Sequence, residues 1–261
     1  MKRILLAALC LAAFHAPAFG DDSLQAMKSR GKLVLGLDDS FPPMGYRNDD
    51  NQIVGYDIDL AKEVARRLGV QLVPQPIDWN AKEQELNTGK IDCIWNGFTI
   101  TEERKQAMLF SKPYLRNAQV VVVKKGSPYT TLASLKGKKV GLQAGSSAAD
   151  ALNAAKDFKA SLKEVVEFKD NLTALMDLEA KGVDAVVMDL ILANDNIKRS
   201  GKPYEVLKET LAPEVFGVGF RKGDTSLRDA VQGALEAMAK DGTLAGITTK
   251  WFGSDISVVG K

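Results

Sequence analysis

Asn96-Gly97-Phe98-Thr99-Ile100-Thr101-Glu102-Glu103-Arg104 is the stretch on which the reading of this chain turns. Before it, Lys90-Ile91-Asp92-Cys93-Ile94-Trp95 is short, apolar and β-prone, follows Thr88-Gly89, and predicts a strand. After it, Glu102 to Leu109 predicts a helix, with Thr101 as N-cap and Glu102 and Glu103 at the positive end of the helix dipole. A strand end running into a helix start brings backbone N–H groups, the Thr99 hydroxyl and the Arg104 guanidinium towards one place. Such a set suits a carboxylate: the guanidinium is a planar fork that matches two carboxylate oxygens, and backbone donors are fixed partial charges. The plainer alternative is an ordinary strand–helix junction with a surface arginine, and the local sequence leaves both open.

The rest of the chain narrows the choice. Its 261 residues are 45% hydrophobic and 26% charged, ordinary for one or two soluble globular domains. Residues 1–20 read as a secretory signal peptide: Lys2 and Arg3 lead, Ile4 to Phe14 is apolar, and Ala18-Phe19-Gly20 places small residues where a peptidase needs them. Leu9 stands before Cys10, where a lipid-anchor signal has a small residue, so no anchor is expected. Loss of the leader removes His15, the one histidine, and with it every Ser–His–Asp, Cys–His or histidine–metal scheme. Cys93 is left without a partner for a disulfide. Lys plus Arg falls from 35 to 33 against 33 acids, so the mature chain is neutral and has no basic field for nucleic acid or anionic lipid. No later apolar run approaches the roughly 20 residues of a membrane helix.

Taken in order, strands are expected at Lys32–Leu37 and Val70–Val73, helices at Gly55–Leu68 and after Asp78-Trp79-Asn80, then the central strand and helix. That alternation implies α/β layering with parallel strands. After a strand at Val120–Val123 the pattern restarts. It gives a helical turn at Leu132–Leu135, a strand at Lys139–Gln143, a helix from Gly145-Ser146-Ser147 through Ala155 and a strand at Val165–Phe168. A helix at Leu172–Lys181 follows, then a strand from Val183 to Met188 ending at Asp189. A strand at Val215–Phe220 and helices at Leu227–Ala239 and Thr243–Trp251 close the chain. Two α/β units of similar size suggest two lobes.

Several residues stand at strand ends, where open α/β sheets place ligand groups. Asp38 and Phe41 follow the first strand, in a loop fixed by Pro42 and Pro43; a turn aspartate and a loop aromatic would look the same. Trp79 follows the next strand and would equally suit a core. Ser146 and Ser147 start a helix, as an anion site or as a simple cap. Asp189 ends an apolar strand, as a ligand group or as a cap for the next helix. Together they outline an α-amino acid: Arg104, Thr99 and the Gly145–Ser147 helix start for the carboxylate, Asp189 for the ammonium, Phe41 and Trp79 as apolar walls. Two desolvated charges are tolerable only with many charge-assisted hydrogen bonds.

Five motifs in order then resemble one family, the periplasmic polar amino-acid-binding proteins of ABC transporters, or family-3 solute-binding proteins. They are Gly55-Tyr56-Asp57-Ile58-Asp59-Leu60-Ala61, Thr99 to Arg104, Phe110-Ser111-Lys112-Pro113-Tyr114, Leu135 to Gly141, and Lys250-Trp251-Phe252-Gly253. The resemblance implies a two-lobed type II periplasmic-binding-protein fold of α/β class, with residues 21–115 plus 217–261 as lobe 1 and 116–216 as lobe 2. Two hinge strands, near Tyr114–Ala118 and Pro213–Gly217, would join the lobes. It implies Arg104, Thr99 and Ser147 on the ligand carboxylate, the Gly97 carbonyl and Asp189 on the ammonium, and Phe41 and Trp79 around the ligand. Asp38 would meet the ligand side chain, with Asn96, Gln143 and Ser146 lining the rest.

Asn96 stands where histidine- and lysine-binding members carry serine, Gln143 where glutamine-binding members carry lysine, and Met188 where they carry histidine. Asp38 without a lysine at 143 leans towards a cationic or long polar side chain, lysine or arginine, with glutamine and cystine open. The expectation is a periplasmic monomeric receptor, not an enzyme, that hands a polar L-amino acid to an ABC permease and reaches the membrane only through it, with no cofactor, metal or nucleic acid. The competing readings are a lyase or dehydratase on this fold, and a soluble or ectodomain sensor; the ectodomain would need a membrane helix beyond Lys261.

Overall fold

The computed structural model describes residues 21–261; the leader expected at residues 1–20, with Cys10 and His15, lies outside the described residues. Helix α1 (Ser23–Ser29) leads into β1 (Lys32–Leu37). A small meander follows: β2 (Ser40–Phe41), β3 (Gly45–Arg47) and β4 (Ile53–Val54) pair in order as a three-stranded sheet. Helix α2 (Tyr56–Leu68) buries Leu60, Ala61, Val64 and Ala65 on one stripe, as the sequence period requires. Strand β5 (Gln71–Pro76) pairs parallel to β1 over its full length. A 3-10 turn at Trp79–Ala81 and α3 (Lys82–Asn87) lead to β6 (Cys93–Ile94), on the other side of β1. Helix α4 (Glu102–Ala107) runs straight into β7 (Met108–Phe110).

Strand β8 (Leu115–Lys124) crosses to the second sheet, made with β9 (Lys139–Gln143), β10 (Glu164–Phe168), β11 (Ala185–Asp189) and β12 (Tyr204–Phe216). Helices α5 (Ser147–Ala154), α6 (Lys156–Ser161), α7 (Asn171–Ala180) and α8 (Leu190–Ser200) connect them. The chain returns through β13 (Gly219–Arg221) to the first sheet and ends in α9 (Thr225–Lys240) and α10 (Thr243–Phe252). The strand orders are β5-β1-β6-β13-β7 and β10-β9-β11-β8-β12. The result is an α/β protein of two sheet-containing lobes.

Both sheets are mixed, not parallel throughout. β13 runs antiparallel to β6 and β7, and β8 runs antiparallel to β11 and β12. The alternation rule failed where one strand leaves a lobe and another returns to it. Of β12 only the hinge strand near Pro213–Gly217 was expected, not the run from Tyr204 to Ala212, and the single strand expected at Val215–Phe220 is broken between β12 and β13. Lys208, Glu209 and Pro213 hide β12 in the sequence, but it lies at a sheet edge, where a proline forfeits no ladder bond. The strand expected at Lys90–Trp95 shortens to Cys93–Ile94, because the Asp92 carboxylate itself takes the Val34 N–H at 2.9 Å. The helix expected to Leu109 stops at Ala107, since Met108–Phe110 pairs with β13. The helix expected through Ala155 ends at Ala154 and a separate one follows.

No helix among the described residues is long and apolar enough to cross a membrane. A core of buried side chains runs through both sheets, from Leu33, Leu35 and Tyr56 to Val186, Met188 and Leu192, and it includes Cys93 and Trp95. A smaller cluster of Trp79, Ile91, Ile94, Phe98 and Met108 packs the other face of the first sheet, beneath the cleft.

Gly55, just before α2, has φ +148°, and a Cβ there would meet the Met44 carbonyl oxygen at 2.1 Å. This close approach lets Tyr56 N donate to Pro43 O and Asp57 N to Met44 O, tying α2 to the β2–β3 hairpin. Gly55→Ala should therefore lose about 2–3 kcal/mol of stability through backbone strain, read from the urea midpoint at unchanged slope. A midpoint equal to wild type would show that the hairpin yields without cost.

Candidate functional site

Phe41, Trp79, Asn96, Gly97, Thr99 and Arg104 from one lobe and Gln143, Ser146, Ser147 and Asp189 from the other line a single narrow cleft, closed down to little free space. Asp38 joins this set through Gln143, whose Nε2 donates to Asp38 Oδ2 at 2.8 Å across the cleft. The lobes meet here directly. Ser147 Oγ donates to Thr99 Oγ1 at 3.1 Å, and Lys82 Nζ to the Gly145 carbonyl at 2.8 Å.

Arg104 is fixed from several sides. The Thr101 hydroxyl caps α4 by accepting from Arg104 N at 3.1 Å, as its sequence position predicts. The guanidinium donates from Nη1 to Thr99 O at 2.9 Å and from Nη2 to Gly145 O at 3.4 Å, and its Cζ lies 4.5 Å from the centre of the Phe98 ring. It is buried, and burial pulls its pKa below the usual arginine range. Among the described residues no carboxylate lies within ion-pair distance of it.

The turn that carries this arginine is anchored by Asp57. Its Oδ2 accepts from Gly97 N at 2.6 Å and from the Tyr114 hydroxyl at 2.9 Å. Gly97 has φ +55°, and a Cβ there would come within 2.8 Å of the Phe41 ring, so an exposed backbone at the cavity wall depends on glycine. Burial pushes the Asp57 carboxyl up to about 7 against these two donors.

On the opposite wall, Ser146 takes the N-cap position of α5, but its hydroxyl donates back to the Gln143 carbonyl at 2.7 Å and does not cap the helix. Asp189 likewise stands at the N-cap of α8 without a capping bond, so the plain capping role is not the one it plays. Its Oδ1 accepts from Asn117 Nδ2 at 2.6 Å, and burial, then the charge of Glu214, push its carboxyl up to about 7. Among the described residues no cation pairs with it either. Asp38 accepts from Ser40 N and Ser40 Oγ besides Gln143, while burial raises its pKa. Trp79 and Phe41 are nearly buried yet face the cavity, and Trp79 meets Phe98 edge-on at 5.7 Å.

Several residues at the site escaped the sequence reading. Lys82 is buried, donates to the Trp79 and Gly145 carbonyls, and is pulled down to about 8 by burial and by Arg104. Asn171 Nδ2 holds Gln143 Oε1 at 2.9 Å. Asn117, Gln119 and Glu214 form a polar cluster beneath Asp189 and Thr99. Asn117 and Gln119 had a signal: two amides at alternate positions leading into a run of valines, hence on one face of one strand. Glu214 fell inside the hinge strand expected near Pro213–Gly217, but no local pattern marked its side chain as one that turns to the site. Among the described residues no group of three or more metal-ligating side chains is assembled.

Comparison with known proteins agrees with this architecture. Residues 33–254 match the model of the bacterial extracellular solute-binding proteins, family 3. The L-cystine-binding protein TcyJ of Escherichia coli (strain K12) is 33% identical over 256 residues, covering 97% of this chain and 95% of that one. A crystal structure of Tv2483 bound to L-arginine is 36% identical with a TM-score of 0.89, covering 93% of this chain and 99% of that one. The substrate-binding protein of an ABC uptake transporter from Streptococcus pneumoniae, with bound histidine, is 38% identical with a TM-score of 0.89, covering 92% and 99%. The chain belongs to the bacterial extracellular solute-binding proteins of family 3.

The raised carboxyl of Asp57 has a consequence for stability. The folded state keeps its proton up to about 7, whereas the unfolded chain releases it near the ordinary aspartate value of about 3.9. Stability should therefore fall as pH rises from about 4 to about 7 and change little from this group above that. Asp57→Asn cannot ionise and should show a shallower fall over that window, measured by urea unfolding at stepped pH. An unchanged slope would mean that Asp57 is ionised in the folded protein well below 7.

Proposed function

We propose that the protein is an extracytoplasmic receptor that holds one polar L-amino acid between its lobes and passes it to an ABC permease. One observation carries this reading: a buried guanidinium and a buried carboxylate, Arg104 and Asp189, line one cavity, and neither has an ion-pair partner among the described residues. An uncompensated buried charge is costly. A ligand with a carboxylate and an ammonium on one carbon would relieve both at once. Phe41 and Trp79 would flank it, the Gly97 carbonyl would share the ammonium with Asp189, and Ser146 and Asn96 would complete the wall.

Residues 21–115 with 217–261 would move as one lobe and 116–216 as the other. The hinge would lie where Pro213, Glu214, Val215 and Phe216 pair with Ala118, Asn117, Arg116 and Leu115. Two paired antiparallel strands bend together with little loss of hydrogen bonding, which suits a hinge motion. Asp38 and Gln143 occupy the side-chain end and favour a long polar or cationic group. The relatives, named for cystine, arginine and histidine, support the same range. Membership of an extracellular family supports a periplasmic location, and the small residues at Ala18 and Gly20 favour cleavage near Gly20. A lyase is the weaker reading, since the titratable groups of the cleft already serve ligand charges.

A thermal-shift screen of refolded mature protein against the common amino acids, ornithine and cystine tests the proposal. A ligand at 100 times its Kd should add about 2.7 kcal/mol of stability, a shift of several degrees for a chain of this size. No shift with any of them would sink the receptor reading. With a ligand in hand, Arg104→Ala should weaken binding by about 2–5 kcal/mol, because the ligand carboxylate would be buried poorly paired. Binding within about threefold of wild type would remove Arg104 from the site.

A further inference from the structure

Glu214 lies on β12 directly opposite Asn117 on β8. Its Oε2 gathers three donors: Thr99 Oγ1 at 3.0 Å, Gln119 Nε2 at 3.0 Å and Asn117 Nδ2 at 3.2 Å. Two of these groups reach further. Asn117 Nδ2 also donates to Asp189 Oδ1 at 2.6 Å, and Gln119 Nε2 to Ser147 Oγ at 3.2 Å. The Ser147 hydroxyl then donates to Thr99 Oγ1 and closes a ring. These bonds have a direction. A carboxylate only accepts, so the single Thr99 proton turns to Glu214 and its oxygen is left to accept from Ser147.

We propose that Glu214 is a positioning and specificity-determining residue of the amino-acid site. It orients Thr99, Asn117 and Gln119, and beside Asp189 it supplies a second negative charge that favours ligands with a protonated α-amine. The inference rests on the receptor reading above. The chemical class it selects is the α-amino acid over the α-hydroxy acid of the same side chain, because two carboxylates gain from a cation and only lose from a neutral hydroxyl. The charged group that faces the pair from the other lobe is Arg104, whose surroundings also include Asp150 and Glu83. Among the described residues, β8 presents to the pair the neutral amides of Asn117 and Gln119. Like charge from Glu214 is one of the causes that hold the Asp189 carboxyl near 7, after burial.

Two measurements test this on the full mature chain. The first needs no ligand: a carboxyl NMR titration of Asp189 in wild type and in Glu214→Gln. The wild-type midpoint, raised above the ordinary aspartate range by burial and then by Glu214, should move clearly lower in the variant; an unmoved midpoint overturns the proposal. The second is calorimetric titration with L-arginine, L-histidine and L-cystine, each beside its α-hydroxy analogue, at about pH 6 and about pH 8.

Wild type should bind the amino acid more weakly at the lower pH, where Asp189 holds a proton. Glu214→Gln should lose about tenfold in affinity at the higher pH, the effect of a lost charge-assisted hydrogen-bond acceptor, with a smaller difference between the two pH values and a smaller preference over the hydroxy acid. Gln119→Met keeps the Glu214 charge; it should weaken binding while leaving the pH ratio in place, and it serves if Glu214→Gln does not fold. Wild-type affinity and pH ratio in Glu214→Gln, or wild-type affinity in Gln119→Met, would overturn the inference. If wild type binds none of the three probes, the ligand is one of the other amino acids or the receptor reading fails, as the wider screen decides, and the Asp189 titration alone decides the role of Glu214.

Discussion

A guanidinium buried without a carboxylate is the constraint around which this protein is arranged. Burying such a charge costs several kcal/mol unless other groups compensate. Around Arg104 the compensation is partial: two backbone carbonyls, of Thr99 and Gly145, and the face of Phe98. Asp189 has the opposite charge and the same predicament on the other wall, held by one strong bond from Asn117. On the proposed reading, a molecule that carries both charges would relieve the two at once. The same tension explains why Lys82, a third buried ionisable group close by, is pulled down in pKa and settles on carbonyls.

The rigid parts of the fold exist to hold these groups where they are. Asp57, at the start of α2, reaches under the cleft to fix Gly97, and through Tyr114 it also touches the point where the chain leaves the first sheet. The residue that anchors the arginine turn is thus coupled to the neighbourhood of the connecting strands. Those strands, β8 and β12, pair along most of their length and carry the polar cluster of Asn117, Gln119 and Glu214. Thr99 in turn bridges to Phe216 on β12 as an isolated β pair, so both walls of the site are referred to the same pair of strands. A motion about them would move the two walls relative to each other while leaving each wall intact.

Much of the first lobe was legible because its elements are local. The stripe of α2, the N-cap at Thr101 and the strand at 32–37 follow from short-range patterns and appear within a residue of their expected places, while the parallel strand expected at 70–73 runs on to Pro76. The residues of the cleft were legible for another reason: they sit at strand ends and helix starts, and such positions can be counted along the chain. What failed was whatever depends on a partner far away. Strand β12 exists because β8 runs beside it, and the helix at 102 ends at Ala107 because β13 comes back to pair with Met108–Phe110. Lys82 and Asn171 looked like ordinary polar residues on helices; Lys82 is held by the Gly145 carbonyl of the other lobe, and Asn171 by Gln143, far from it in the chain.

The sequence by itself determined the α/β alternation, the two-lobed class, the family and the identity of the charged groups at the cleft, because these rest on local periodicity and on residue types that leave few alternatives. Only the tertiary structure decided where the protons point. Whether Thr99 and Ser147 offer their hydroxyls to the cavity, to each other or to Glu214 depends on distances near 3 Å between residues 48 and 115 positions apart. Hydrogen-bond direction and burial are properties of that packing, and so are the raised carboxyls of Asp57 and Asp189. No linear pattern encodes them, because each is set by how much water the opposing lobe excludes.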